Sequence, residues 1–163
     1  MNDYADAGVL LPDARDLRDG KALMYRAVPL PQDDLRLAGA LYVLAARPDD
    51  EAKAQVWAEV FGKRSVPMGP PLVGLAQCFW RPAQHELMLP WAQRYLDEVS
   101  AMSGDGGMMA IGSLMRSMFP TTGDQEFLER ATAIAAEEGV NPTLRATLLA
   151  GTDTLTRVIR ARG

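Results

Sequence analysis

Amphipathic stripes with a period near 3.6 residues follow one another from Asp33 to the end of the chain, and proline or glycine closes nearly every one. Apolar residues spaced in this way can be buried together only along one side of a helix. Leu37, Leu41 and Leu44 share a side with Ala38 and Ala45, and Pro48 ends the segment, which predicts a helix over 35–47. Asp49 or Asp50 caps the next, over about 50–62, where Ala52, Val56 and Val60 run beside Trp57 and Phe61 and Gly62 supplies the stop. Pro71 opens a helix carrying Leu72, Leu75, Ala76, Phe79 and Trp80. Pro82 breaks it and starts a short helix through Leu89. Pro90 is then expected as the first residue of a further helix, about 90–102, because the N–H it lacks has no intrahelical partner at that position.

The second half reads the same way. Helix 107–119 carries Ile111, Leu114, Met115 and Met118 and stops at Pro120. Helix 124–138 carries Phe127, Leu128, Ala131, Ile134 and Ala135, with Gly139 as its cap. Asn141-Pro142 is a capping residue followed by a first-turn proline, and it starts a last helix that reaches about Arg162. Gly151 sits inside that helix at a cost of roughly 1 kcal/mol against alanine, for which close approach of a neighbouring helix is the expected reason. No segment of comparable length alternates with period two, so no sheet is expected. Seven or eight helices with short connections predict an all-α fold of antiparallel helix pairs stacked side by side. Residues 1–32 read differently. Pro12, Pro29 and Pro31 punctuate them, and a mixed-charge run surrounds Gly20, so an irregular N-terminal arm is expected ahead of a helical domain over 33–163.

Charge and cysteine usage narrow the partners. A net charge of −4 with scattered arginines speaks against nucleic acid, which needs concentrated basic residues. Cys78 is the only cysteine, so no internal disulfide forms, in keeping with a reducing compartment. No apolar run reaches the ~18–20 residues of a membrane span, and the acidic start of the chain lacks the order of a signal peptide. A cytoplasmic protein without a membrane partner is the expectation.

Few residues offer chemistry. His85-Glu86 is the first half of a His-Glu-x-x-His zinc helix, but the second histidine would fall at position 89, which is Leu89. A surface histidine is expected, and no metal site. Cys78 could use His85 as a base, yet Pro82 intervenes, and a small buried thiol is the simpler reading. A serine triad would need the same histidine, so no catalytic residue is assigned, although a small hydrolase built on His85 is a reading to test. Gly104-Asp105-Gly106-Gly107 lacks the Gly-Lys-Ser/Thr end of a phosphate loop and reads as a turn. Among the clustered methionines, Met115 and Met118 belong to the core by spacing, while Met108 and Met109 could belong to a binding surface. The aromatic set Trp57, Phe61, Phe79, Trp80, Trp91 and Tyr95 is expected in the core. Arg94, Arg116 and Arg145 are candidates for a peptide carboxylate, which a guanidinium grips with two parallel bonds, and ordinary surface ion pairing is the competing role.

Several of these segments together resemble one family. Asp50-Glu51-Ala52-Lys53-Ala54-Gln55-Val56-Trp57 looks like the acid-Ala-Lys-Ala-x-x-Trp helix of aminopeptidase N C-terminal domains. Phe79-Trp80-Arg81-Pro82-Ala83-Gln84 with Glu86-Leu87 is similar to its Phe-x-x-Pro-x-Gln-x-Glu-Leu element. Pro90-Trp91 and Arg94-Tyr95-Leu96 resemble the Pro-Tyr and Arg-Tyr-Phe that follow it, and Arg145, Gly151-Thr152-Asp153 and Leu155-Thr156-Arg157 resemble the closing helix of bacterial members. The resemblance spans about Asp33 to Arg162. It implies a HEAT-like array forming a bowl over the zinc site of a preceding catalytic domain, limiting access to short peptides, with arginines that can contact the substrate. The family's catalytic His-Glu-x-x-His helix, distant glutamate ligand and Gly-Ala-Met-Glu-Asn element are not in this chain. The resemblance therefore implies a capping, substrate-chamber domain of a zinc aminopeptidase. As an isolated chain it would be inactive and hold no cofactor of its own, and its partners would be the catalytic domain or a peptide. The alternative is a free-standing helical-repeat interaction module.

Overall fold

The computed structural model describes residues 32–102 and 108–162. The N-terminal arm up to Pro31 and the turn 103–107 lie outside them, as do the side chains of Met108 and Met109. Among the described residues the chain is all-α, with seven α-helices and no strand: α1 Gln32–Ala46, α2 Asp50–Trp57, α3 Pro70–Phe79, α4 His85–Met102, α5 Met108–Ser117, α6 Gln125–Ala136 and α7 Pro142–Arg162. No helix of the described residues is long and apolar enough to cross a membrane. The chain divides into two compact units, 1–39 and 40–163.

Local chemistry places the helix starts. Asp49 caps α2 by accepting from the Ala52 N–H at 2.9 Å, and that bond, with the Arg47 guanidinium adding to it, holds the carboxyl below its ordinary range. Asp124 caps α6 through the Phe127 N–H, and Asn141 caps α7 through the N–H groups of Thr143 and Leu144. Gly69 precedes α3 with φ +90°, a conformation L side chains rarely adopt, and the helix starts at Pro70, one residue before the expected Pro71.

Two departures from expectation go beyond a shift of a residue or two at a helix end. The helix expected over 50–62 is α-helical only to Trp57 and widens into a π turn at Ala58–Gly62, closed by the Lys63 N–H on the Ala58 carbonyl. That turn brings Val60 and Phe61 into the core and stacks Phe61 on Trp57 at 4.3 Å. Pro90 does not begin a helix. Pro82–Gln84 form a single 3-10 turn, and α4 then runs unbroken through Pro90. A proline here removes one bond, to the Glu86 carbonyl, near the helix start. Met88, Trp91 and Ala92, all buried around it, hold the segment in line.

α3 lies against α5 and α5 against α7, while α4 lies against α6. α6 and α7, joined by a short turn, form a helical hairpin. Aromatic contacts thread the core: Phe61 meets Tyr95, Tyr95 meets Phe119, and Phe119 meets Phe127, each edge to face.

Buried side chains complete the helix ends, whose last carbonyls have no partner inside the helix. Lys53, wholly buried, donates from Nζ to the Ala45 carbonyl at 2.5 Å and to the Phe79 carbonyl at 3.0 Å, joining the C-termini of α1 and α3. Gln84 donates to the Ala46 carbonyl. The Tyr95 hydroxyl donates to the Met115 carbonyl of α5 at 2.6 Å, and the Trp80 indole to the Met118 carbonyl just beyond. An ammonium at two helix C-termini also sits at the negative ends of two dipoles. Burial pulls the Lys53 pKa down to about 8, with the Arg81 charge adding to the effect.

Candidate functional site

Among the described residues a groove of about 910 Å³ runs between α3 and α7, floored by the segment that follows α5. Val73, Ala76, Gln77 and Trp80 form its α3 wall. Small residues of α7, among them Thr143, Ala146, Ala150 and Gly151, form the other wall. Phe119, Pro120 and Thr121 form the floor. A reciprocal pair of bonds fastens floor to wall: the Trp80 indole donates to the Met118 carbonyl, and the Thr121 hydroxyl donates to the Trp80 carbonyl at 3.1 Å.

Gly151 sets the depth of the floor. A Cβ built there would lie 2.3 Å from the Phe119 ring. The glycine thus does serve close approach, but of an aromatic ring from the α5–α6 connection and not of a neighbouring helix. The Thr147 and Thr154 hydroxyls bond carbonyls of their own helix, at Thr143 and Ala150. The remaining strong donor is Arg116, exposed, and the one charged residue among the described residues that line the groove. The site is an apolar trough with one guanidinium at its edge. It offers no nucleophile paired with a base. It can bind an extended or helical apolar segment that brings an acidic group to Arg116.

Compared with known families, residues 31–157 match the model of the ERAP1-like C-terminal domain. The chain belongs to the ERAP1-like C-terminal domain family. Such a domain is consistent with the C-terminal part of aminopeptidase N-family peptidases, as the sequence resemblance indicates. Neither the curated proteins nor the solved structures gave a match.

Within this ERAP1-like domain the three candidate arginines stand apart. Arg116 alone lines the groove. Arg94, on α4, lies over the rings of Trp57 and Trp91. Arg145, near the start of α7, donates from Nε to the Ala135 carbonyl at 2.9 Å and from Nη2 to the Glu137 carbonyl at 3.0 Å, so it closes the C-terminus of α6. His85 is the first residue of α4 and is half-buried, with its Nδ1 enclosed. Among the described residues no three His, Cys, Asp or Glu side chains converge on a point that could hold a metal. Cys78 is half-buried against the core, more open than the small buried thiol expected.

Sequence reasoning missed Lys53, Trp80 and Tyr95 as the donors that hold the helix ends. For Lys53 a signal existed: it falls on the stripe of Trp57 and Val60, at i, i+4 and i+7, where a solvent-facing lysine does not belong. For Trp80 and Tyr95 the pattern gave burial but no polar partner, since those partners lie 38 and 20 residues away in the chain.

Proposed function

We propose that this chain is the capping, substrate-chamber domain of an aminopeptidase N-like zinc peptidase, non-catalytic by itself, and that its α3–α7 groove faces the peptide. Membership of the ERAP1-like C-terminal domain family over 31–157 carries this reading. The groove gives it a location, because an apolar trough suits peptide side chains and Arg116 suits a peptide's acidic group. In this reading the helix pairs form a HEAT-like array whose concave side is the groove. The zinc and the catalytic residues belong to a separate domain, and this chain supplies walls and one charge. Its partner is that catalytic domain or the peptide itself.

Two measurements test the proposal. The purified chain is offered an alanyl chromogenic substrate and its zinc is measured. No turnover and no stoichiometric zinc are expected, and turnover with bound zinc rejects the non-catalytic role. Short apolar peptides, with free or amidated C-termini, are then titrated against the fluorescence of Trp80 and its neighbours. Saturable binding that Arg116→Ala weakens about 10-fold, the loss of one charge-assisted contact, is expected. Equal binding by wild type and variant removes Arg116 from the site, and no binding by either removes the groove.

A further inference from the structure

Away from the groove, Trp57 of α2 and Trp91 of α4 form an aromatic cleft. Their ring centroids are 5.4 Å apart with 46° between the planes. The Arg94 guanidinium carbon lies 5.5 Å from the Trp57 ring and 5.2 Å from the Trp91 ring. Both indole N–H groups donate to carboxylates, Trp57 to Glu98 at 3.4 Å and Trp91 to Asp50 at 3.1 Å. A carboxylate accepting from an indole N–H adds electron density to the ring and strengthens the attraction of its face for a cation. Two such faces with two nearby negative charges make a seat for a positive group, and Arg94 fills it.

Arg94 is a weakly held occupant. It is exposed, and no carboxylate among the described residues lies within ion-pair distance of it. The two ring faces are its partners, a type of contact that is weak at an exposed position. The two tryptophans are only 2% and 7% exposed, because Phe61 and Phe79 pack against them within the core while Arg94 lies over both rings.

We propose that the Trp57–Trp91 cleft is an organic-cation site which Arg94 plugs from within, and that it takes a guanidinium group from outside. The resident group defines the ligand: a planar, delocalised, weakly hydrated cation stacks on an indole where a compact ammonium keeps its water. Arg94 acts as an internal competitor, lowering the apparent affinity by the fraction of time the cleft is closed.

The test uses the full chain, as wild type, as Arg94→Ala and as Arg94→Gln, with circular dichroism showing which variants keep their helix. Tryptophan fluorescence is titrated with methylguanidinium chloride, with potassium chloride holding ionic strength constant. At least one folded variant should respond saturably at a concentration about 10-fold lower than wild type, and adding Trp91→Leu to it should abolish the response. A blocked Gly-Arg-Gly peptide binding as tightly as methylguanidinium identifies the source as a peptide side chain, and weaker binding identifies a free small cation. Curves for the folded variants that superimpose on wild type or on the potassium control overturn the proposal.

Discussion

Replacing Lys53 by methionine keeps the length of the side chain and removes the donor that joins α1 to α3. The Ala45 and Phe79 carbonyls lose their bonds to Nζ in a place that water does not reach. Each unsatisfied buried carbonyl costs about 1–3 kcal/mol, so the pair costs about 2–6 kcal/mol. Against this, methionine carries no charge to desolvate. A fall in pKa from the ordinary 10.5 to about 8 bounds that relief at about 3 kcal/mol. At mid-range the carbonyl loss, about 4 kcal/mol, exceeds that relief, and Lys53→Met should destabilise the domain by about 1 kcal/mol, and by no more than about 3, at pH 7, read from urea unfolding. The pH dependence follows from linkage. Between about 8 and 10.5 the unfolded chain keeps a proton on Lys53 that the folded chain has released, so wild-type stability from this group rises with pH. It is fully present above 10.5 and is lost as pH falls through 8. A neutral amine still has two N–H groups for the two carbonyls, so the bonds survive deprotonation. The gap between wild type and Lys53→Met should therefore widen from pH 8 to 10.5, and groups common to both proteins cancel in the difference. A variant as stable as wild type at pH 7, or a gap that narrows as pH rises, would refute the reasoning.

Two further outcomes are expected. Tyr95→Phe leaves the Met115 carbonyl without its 2.6 Å partner and should lower unfolding stability by about 1–2 kcal/mol, as read by urea titration. Because burial pushes the Tyr95 hydroxyl above its ordinary pKa, folded wild type and Tyr95→Phe should show the same phenolate absorbance as pH passes 10, with the difference emerging only on unfolding. Gly151→Ala gains about 1 kcal/mol of helix propensity but forces the Phe119 ring aside at about 1–3 kcal/mol, so the net effect should be a loss of up to about 2 kcal/mol. Calorimetry showing a raised melting temperature for that variant would mean that the ring moves freely.

Much of the architecture was legible in the chain itself. Asp49, Asn141 and Pro142 mark helix starts because a cap acts on N–H groups two or three residues away, inside the same turn. The stripes of Leu72, Leu75 and Phe79 and of Trp91, Tyr95 and Val99 named the core, since every residue in them is buried. The family, too, could be read from the order of short segments. These signals reach no further than a helix turn or a local motif.

What tertiary structure alone decided is which distant atom each polar group meets. Arg116 and Arg145 look alike in sequence, yet one lines a groove while the other closes α6, because only the stacking of α6 on α7 brings the Ala135 and Glu137 carbonyls to Arg145. Pro90 carries a helix-start signal, but the packing of Met88 and Trp91 on either side keeps α4 continuous through it. Lys53 and Gly151 have the same origin: a buried charge and a missing side chain make sense only once the helix ends and the Phe119 ring that face them are in position. Periodicity specifies which side of a helix is apolar, and the choice of neighbour rests on how all the sides fit together.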